Sequence, residues 1–284
     1  MESQPQYLIG TCAWSFDAWK GVFYPAKLKP TDYLPWYARF FNTVEIDSTF
    51  YNIPPPHYVR AWVRKTPDHF IFSCKLPKMI SHEARLKDCQ AEVTSFLSVM
   101  ENFGGKLGRI LLQLPPSFST RDEHALKKFI LAWPREFPLA VEFRHPSWRL
   151  PRLEHFLQEH GVVHAWNDLT GPDSKDFAAF LPTPVTSPDL YVRLLGDITK
   201  KYRRDGSTIH TYGRILWPRA SAIEQWASKF RIMAPTVRRV FCYFNNHYEG
   251  FSIQSCITLL KGLGQPAPDF QKALHEGEQM ELDQ

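Results

Sequence analysis

Long apolar runs are missing from this chain of 284 residues. None approaches the roughly 18 residues that a membrane helix needs, and the polar opening, residues 1–6, has no signal-peptide core. The expectation is a cytoplasmic protein with no membrane partner. Cysteine is scarce: five in all, an odd count, with no Cys-x-x-Cys pair. That excludes a disulfide framework and the usual zinc spacings. Cys74 and Cys242 fall inside predicted strands and read as buried free thiols. The phosphate loop Gly-x-x-x-x-Gly-Lys-Ser/Thr and the elbow Gly-x-Ser-x-Gly are absent, and no Gly-x-Gly-x-x-Gly follows the first strand. Metal signatures are missing as well. Glu142-x-x-His145, with His82, Asp168 and His247 elsewhere, matches no known spacing, so no metal site is expected and no cofactor is indicated.

What is present suits a globular enzyme or binding protein. The chain is 44% hydrophobic, 22% charged and 14% aromatic, ordinary values for a folded domain. The 23 Pro are scattered and punctuate loops rather than build a linker. Net charge is +5 with His neutral. It is uneven, because residues 265–284 carry Asp269, Glu276, Glu278, Glu281 and Asp283 against Lys272 alone. Without them 33 Lys+Arg face 24 Asp+Glu, a net +9. A basic body suits an anionic small molecule or nucleic acid as partner. The expected organisation is one domain over residues 1–264 and an acidic, partly disordered tail over 265–284.

Eight short β-rich runs alternate with helical ones. The runs cover residues 7–11, 43–47, 70–75, 109–114, 139–144, 162–167, 190–195 and 239–245. Helical spacing covers 32–41, 56–65, 87–103, 123–133, 148–160, 219–233 and 250–262. Alternation of this kind implies parallel strands and right-handed crossovers, and eight repeats point to a closed (β/α)₈ TIM-type barrel.

Chemistry in such a barrel sits at the C-terminal strand ends. In residues 43–47, Val44 and Ile46 share one face and Glu45 and Asp47 the other. Two in-turned carboxylates require cations. Lys75, Arg144 and Arg193, at the ends of strands three, five and seven, are candidates to pair with Glu45, Asp47 and Glu142. Gln113 and Asn245 lie at the same level, and Trp14 and Tyr51 are aromatic candidates for stacking. In the first reading Lys75, Arg144 and Arg193 hold an anionic, phosphorylated or nucleotide-containing substrate. Glu45, Asp47 or Glu142 then serves as base, and Gln113 and Asn245 hydrogen-bond the ligand. Replacing Arg193 by Met is expected to abolish binding and spare the fold. Cationic neighbours should lower the pKa of Glu45 and Glu142, which argues against a glycosidase acid. The second reading is non-catalytic nucleic-acid binding by Lys200, Lys201, Arg203 and Arg204, whose charges flank Tyr202.

A set of motifs carries a family resemblance. They are Gly10-Thr11-Cys12-Ala13-Trp14-Ser15 with Trp19, Gly21, Phe23, Tyr24 and Pro25; Val44-Glu45 with Thr49-Phe50-Tyr51; residues 70–75 with Ser81-His82; and Leu112-Gln113-Leu114-Pro115-Pro116. Further on come Val141-Glu142-Phe143-Arg144-His145 with Trp148, Tyr191-Val192-Arg193, and Tyr243-Phe244-Asn245-Asn246 with Gly250. Across residues 7–262 the chain resembles the YecE-like family, the seventy-second of the domain-of-unknown-function series. The resemblance implies a TIM-type barrel and implies no activity. Endonuclease IV-like barrels are similar, but their dense His and acidic zinc ligands are not evident here.

Overall fold

A computed structural model describes residues 4–148, 150–169, 185–201, 212–247 and 249–274. Nine strands are named among them: β1 (Gln6–Thr11), β2 (Thr43–Ile46), β3 (Ile71–Lys75), β4 (Leu107–Gln113), β5 (Leu139–Glu142), β6 (Val163–His164), β7 (Trp166–Asn167), β8 (Asp189–Leu194) and β9 (Arg239–Phe244). They form two sheets, ordered β1-β9-β8-β7 and β2-β3-β4-β5-β6. Every pairing is parallel, so within each sheet the C-terminal strand ends share one edge. Helices α1 (Tyr33–Tyr37), α2 (Pro56–Arg64), α3 (Gln90–Met100), α4 (Glu123–Ala132), α5 (Pro151–Glu159), α6 (Ala220–Met233) and α7 (Ser252–Gly262) separate most of the strands. Among the described residues no helix is long and apolar enough to cross a membrane.

The sixth expected strand, 162–167, is broken. Ala165 separates β6 from β7, yet its N–H still reaches Val141 O on β5 at 2.8 Å. At the other junction, Gly10 on β1 approaches Thr43 on β2 so closely that a Cβ there would lie 2.2 Å from Thr43 O. The Tyr37 hydroxyl bridges the same pair: it donates to Thr43 O at 3.1 Å and accepts from Thr11 N at 3.0 Å.

Strand alternation divides the core in two. Val44, Ile46, Phe72, Cys74, Leu190, Val192 and Leu194 belong to the large cluster packed with the helices. Leu8, Leu111, Ala140, Tyr191, Phe241 and Tyr243 form a smaller cluster on the opposite strand faces. Period-two alternation therefore turns Glu45, Tyr191 and Arg193 away from the helices. The helices present apolar stripes to the large cluster; in α4 these are Ala125, Leu126, Phe129 and Ile130.

Two helices are shorter than their spacing predicts. The run expected from residue 87 begins at Gln90, because Arg85, Leu86 and Asp88 adopt positive φ values of 50°, 64° and 47°, which a helix cannot contain. The run expected over 32–41 keeps only Tyr33–Tyr37 and then tightens into turns such as Arg39 N to Trp36 O. At the C-terminal side Phe270 and Leu274 are buried, and the Phe270 ring meets Phe23 at 5.4 Å. Packed residues thus continue past the 264 boundary.

Candidate functional site

Arg193 is the hub of the strand-end charges. Its Nε lies 2.9 Å from Glu45 Oε1 and its Nη2 2.8 Å from the same oxygen. Nη2 also reaches Asp47 Oδ1 at 3.1 Å, and Nη1 reaches Glu142 Oε2 at 3.1 Å. One guanidinium therefore serves three carboxylates from two strand ends and one following turn. Glu45 and Glu142 are wholly buried and Arg193 is 2% exposed. Tyr191 OH donates to Glu45 Oε2 at 2.5 Å and Asn167 Nδ2 to Glu142 Oε1 at 3.2 Å. Arg144 Nε completes the set on Glu142 Oε1. Such extensive pairing makes buried charge tolerable.

The two glutamates diverge electrostatically. For Glu45, burial raises the pKa and outweighs Arg193, and the nearby Asp47 carboxylate adds to the rise. Burial pushes Glu142 up too, but Arg144, Arg193 and Lys75 together hold it below the ordinary range. The expectation that both would be lowered is corrected for Glu45: its one cation is divided among three acids.

Lys75 differs from the other cations. It is 9% exposed, and its Nζ sits 4.0 Å from the centroid of the Phe50 ring. No carboxylate of the described residues lies within ion-pair distance of it, since Arg193 and Arg144 hold the three nearby acids. Burial lowers its pKa, and Arg193 lowers it further against the pull of Asp47, Glu142 and Glu45. His82 lies alongside, edge-on to Phe50 at 4.9 Å. Burial, then the charges of Lys75 and Arg144, push its pKa down to about 4. Arg144 has only its Nε bonded; among the described residues its Nη1 and Nη2 donate to no protein acceptor.

The remaining candidates sit apart from this network. Gln113 turns its Nε2 to Leu114 O at 2.8 Å, and Asn245 Oδ1 accepts from His247 N at 2.7 Å. Each side chain is engaged in a local turn. Trp14 packs edge-on against Trp62 of α2 at 5.3 Å, and Tyr51 is 67% exposed. Lys200 lies in the short 3₁₀ turn Ile198–Lys201. The side chain of Lys201, and all of Arg203 and Arg204, fall outside the described residues. Arg193, expected as an anion ligand, directs Nε, Nη1 and Nη2 to carboxylates of the protein itself. Tyr191 and Asn167 could have been selected by strand phase alone. Cys12 lies in a loop and His82 in the short π-helical turn Met79–Glu83, where no extended periodicity signals orientation.

Cys12, Glu45 and Asp47 place one ligand atom each within 4.8 Å of one another, a spacing a metal could use. Arg193 Nη2 contacts all three, with Cys12 Sγ at 4.0 Å. The guanidinium thus supplies the positive charge. Burial and Glu45 also raise the Cys12 pKa, so the thiolate a metal requires is disfavoured.

Parallel strands with an interlocked charge network at their C-terminal ends define an α/β protein with a strand-end site. The family model described as "Protein of unknown function DUF72" matches residues 8–279, and the chain belongs to this family. It is similar to the UPF0759 protein YecE of Escherichia coli (strain K12), 40% identical over 140 residues, 49% of each chain. The match thus spans about half the length of that relative. The UPF0759 protein YunF of Bacillus subtilis (strain 168) is 26% identical over 246 residues, 80% of this chain and 85% of YunF. Among solved structures, a DUF72 family protein from Thermotoga maritima superposes with a TM-score of 0.75 at 26% identity. That superposition covers 92% of this chain and 100% of the other.

Proposed function

We propose that this protein is an enzyme acting on a small anionic substrate at the C-terminal ends of its strands. The two sheets are taken as halves of one closed (β/α)₈ barrel, with β6 and β7 as two pieces of its sixth strand. The Gly10–Thr43 approach and the Ala165–Val141 bond support that closure. The observation that carries the functional reading is the set of uncommitted cations. Arg144 offers two terminal amino groups, side-chain exposure 13%, and Lys75, whose charge acts on His82 together with that of Arg144, has no carboxylate partner among the described residues. A planar fork beside an ammonium suits a carboxylate or phosphate. Their combined positive field already depresses His82, and a bound anion relieves it. Arg193, Glu45 and Glu142 are the scaffold, and Asp47, with a side chain 28% exposed, is the carboxylate open to substrate.

The test is a titration of His82 by NMR with and without inorganic phosphate. Phosphate should raise its pKa above about 4, and Arg144→Met should remove the rise. An unchanged His82 titration at saturating phosphate refutes the reading. Nucleotide binding that survives Arg144→Met and depends on Lys200 would instead move the function to the basic loop.

A further inference from the structure

The anion-binding reading uses Lys75 only as a charge, and its surroundings suit a second, covalent role. A buried lysine usually finds a carboxylate, and three are close by, yet all three are taken by arginines. Lys75 instead rests on an aromatic face, 4.0 Å from the Phe50 centroid. It stands on the last residue of β3, where a rigid strand delivers it to the site. We propose that Lys75 is a nucleophilic amine that forms an imine with an aldehyde or ketone carbonyl of an anionic substrate. The proposal rests on the anion site above, with Arg144 carrying the substrate's negative charge.

Three features make the assignment chemical rather than positional. Burial, with Arg193 close by, weakens the hold of Lys75 on its proton, so the resting ammonium more readily yields the neutral amine, the form with a lone pair to donate. The Phe50 ring shields one side of Nζ from water and stabilises cationic nitrogen once it forms. Asp47, the acid that pulls most strongly on Lys75, is partly exposed and placed to pass protons. The step balances as follows. The Nζ lone pair attacks the carbonyl carbon, and the C=O π pair moves to oxygen, which is protonated. The nitrogen of the resulting carbinolamine loses one proton and its hydroxyl leaves as water on protonation. The product is C=N⁺H–Lys75. Overall, amine, carbonyl and one proton give iminium and water, with no oxidant or reductant. The iminium keeps a positive charge at Lys75 beside Arg193 and Arg144, opposite Glu45, Asp47 and Glu142.

Pyridoxal 5′-phosphate, an anionic aldehyde, is the probe. The full chain is incubated with it near pH 7, reduced with sodium borohydride, digested and mapped by mass spectrometry. Lys75 should be labelled on the order of tenfold faster than exposed lysines such as Lys87, and inorganic phosphate should slow that labelling. Lys75→Arg, which keeps the charge but forms no stable imine, should lose the fast label. Mapping on the unaltered chain needs no variant, so a folding defect cannot mask the answer. Labelling ordered by lysine exposure alone overturns the proposal. If phosphate shifts His82 but Lys75 stays unlabelled, the anion site stands and the imine is refuted. If neither occurs, both fail.

Discussion

Arg193 Nη2 lies 2.8 Å from Glu45 Oε1, and both side chains are buried. Removing the cation strands Glu45 in a low-dielectric interior, leaves Glu142 ion-paired to Arg144 alone, and frees Asp47 at the rim. Breaking such a pair costs about 3–5 kcal/mol. Arg193→Met should therefore lower the unfolding free energy by that order, measured by urea denaturation at pH 7. This reverses the sequence expectation of an intact fold. The double variant Glu45→Gln/Arg193→Met should lose less than the sum of the single changes, because each removes a partner of the other. Additive losses would show that the two do not act together.

The strand phase behind this prediction was legible early. Period-two alternation put Val44 and Ile46 on one face and Glu45 on the other, and the structure agrees. Parallel α/β order was legible for the same reason, since strand and helix periods differ strongly. What alternation does not encode is how acids and cations are matched. Three cations for three acids suggested an even network, whereas Arg193 takes all three acids and Lys75 none. That choice depends on side-chain reach and on which strands are neighbours. The roles of Trp14 and Tyr51 are not legible for a related reason: an aromatic in a loop has no periodicity to fix its direction.

Close approach of β1 and β2 depends on a missing side chain. A Cβ at Gly10 would fall 2.2 Å from Thr43 O and 2.9 Å from the Tyr37 hydroxyl. Backbone carbonyls cannot move aside as a flexible side chain can. Gly10→Ala should therefore destabilise by about 1–3 kcal/mol, the usual cost of overpacking, read as a lower urea midpoint with unchanged slope. An unchanged midpoint would mean that the two strands are not held at this spacing.

His164 should make the fold acid-sensitive. It is 4% exposed, and burial pushes its pKa down to about 4, against a weak opposing pull from Glu142. The unfolded chain takes up a proton near pH 6.5, while the folded one waits until about 4. The unfolded state therefore binds more protons in that window, and stability falls as pH drops through it. The loss from this group approaches about 3 kcal/mol below both values. In His164→Gln, unfolding free energy should vary less between pH 6.5 and 4 than in the parent. His82 titrates in the same sense but is partly exposed, so its share is smaller. Parallel pH profiles for parent and variant would rule out His164 as the source.

A second ionic hub lies at the N-terminal strand ends and should behave as structure without chemistry. Asp189, the first residue of β8, accepts from Arg109 Nη2 at 2.6 Å and from Arg239 Nε at 3.0 Å, and is 1% exposed. Burial raises its pKa, but Arg239 and Arg109 outweigh it and hold the carboxyl below the ordinary range. Its stabilisation is thus present above the unfolded value of about 3.9 and lost as pH falls below it. Asp189→Asn leaves Arg109, Arg239 and the largely exposed Arg238 facing a neutral amide and should cost about 3–5 kcal/mol at pH 7. That penalty should shrink as both proteins are acidified below that unfolded value, where the unfolded parent takes up a proton that the folded carboxylate resists. The folded variant should still label Lys75 with pyridoxal 5′-phosphate at the parent's rate, because Asp189 sits at the opposite strand ends from Lys75. Loss of labelling in a folded Asp189→Asn protein would instead couple the two ends of the strands.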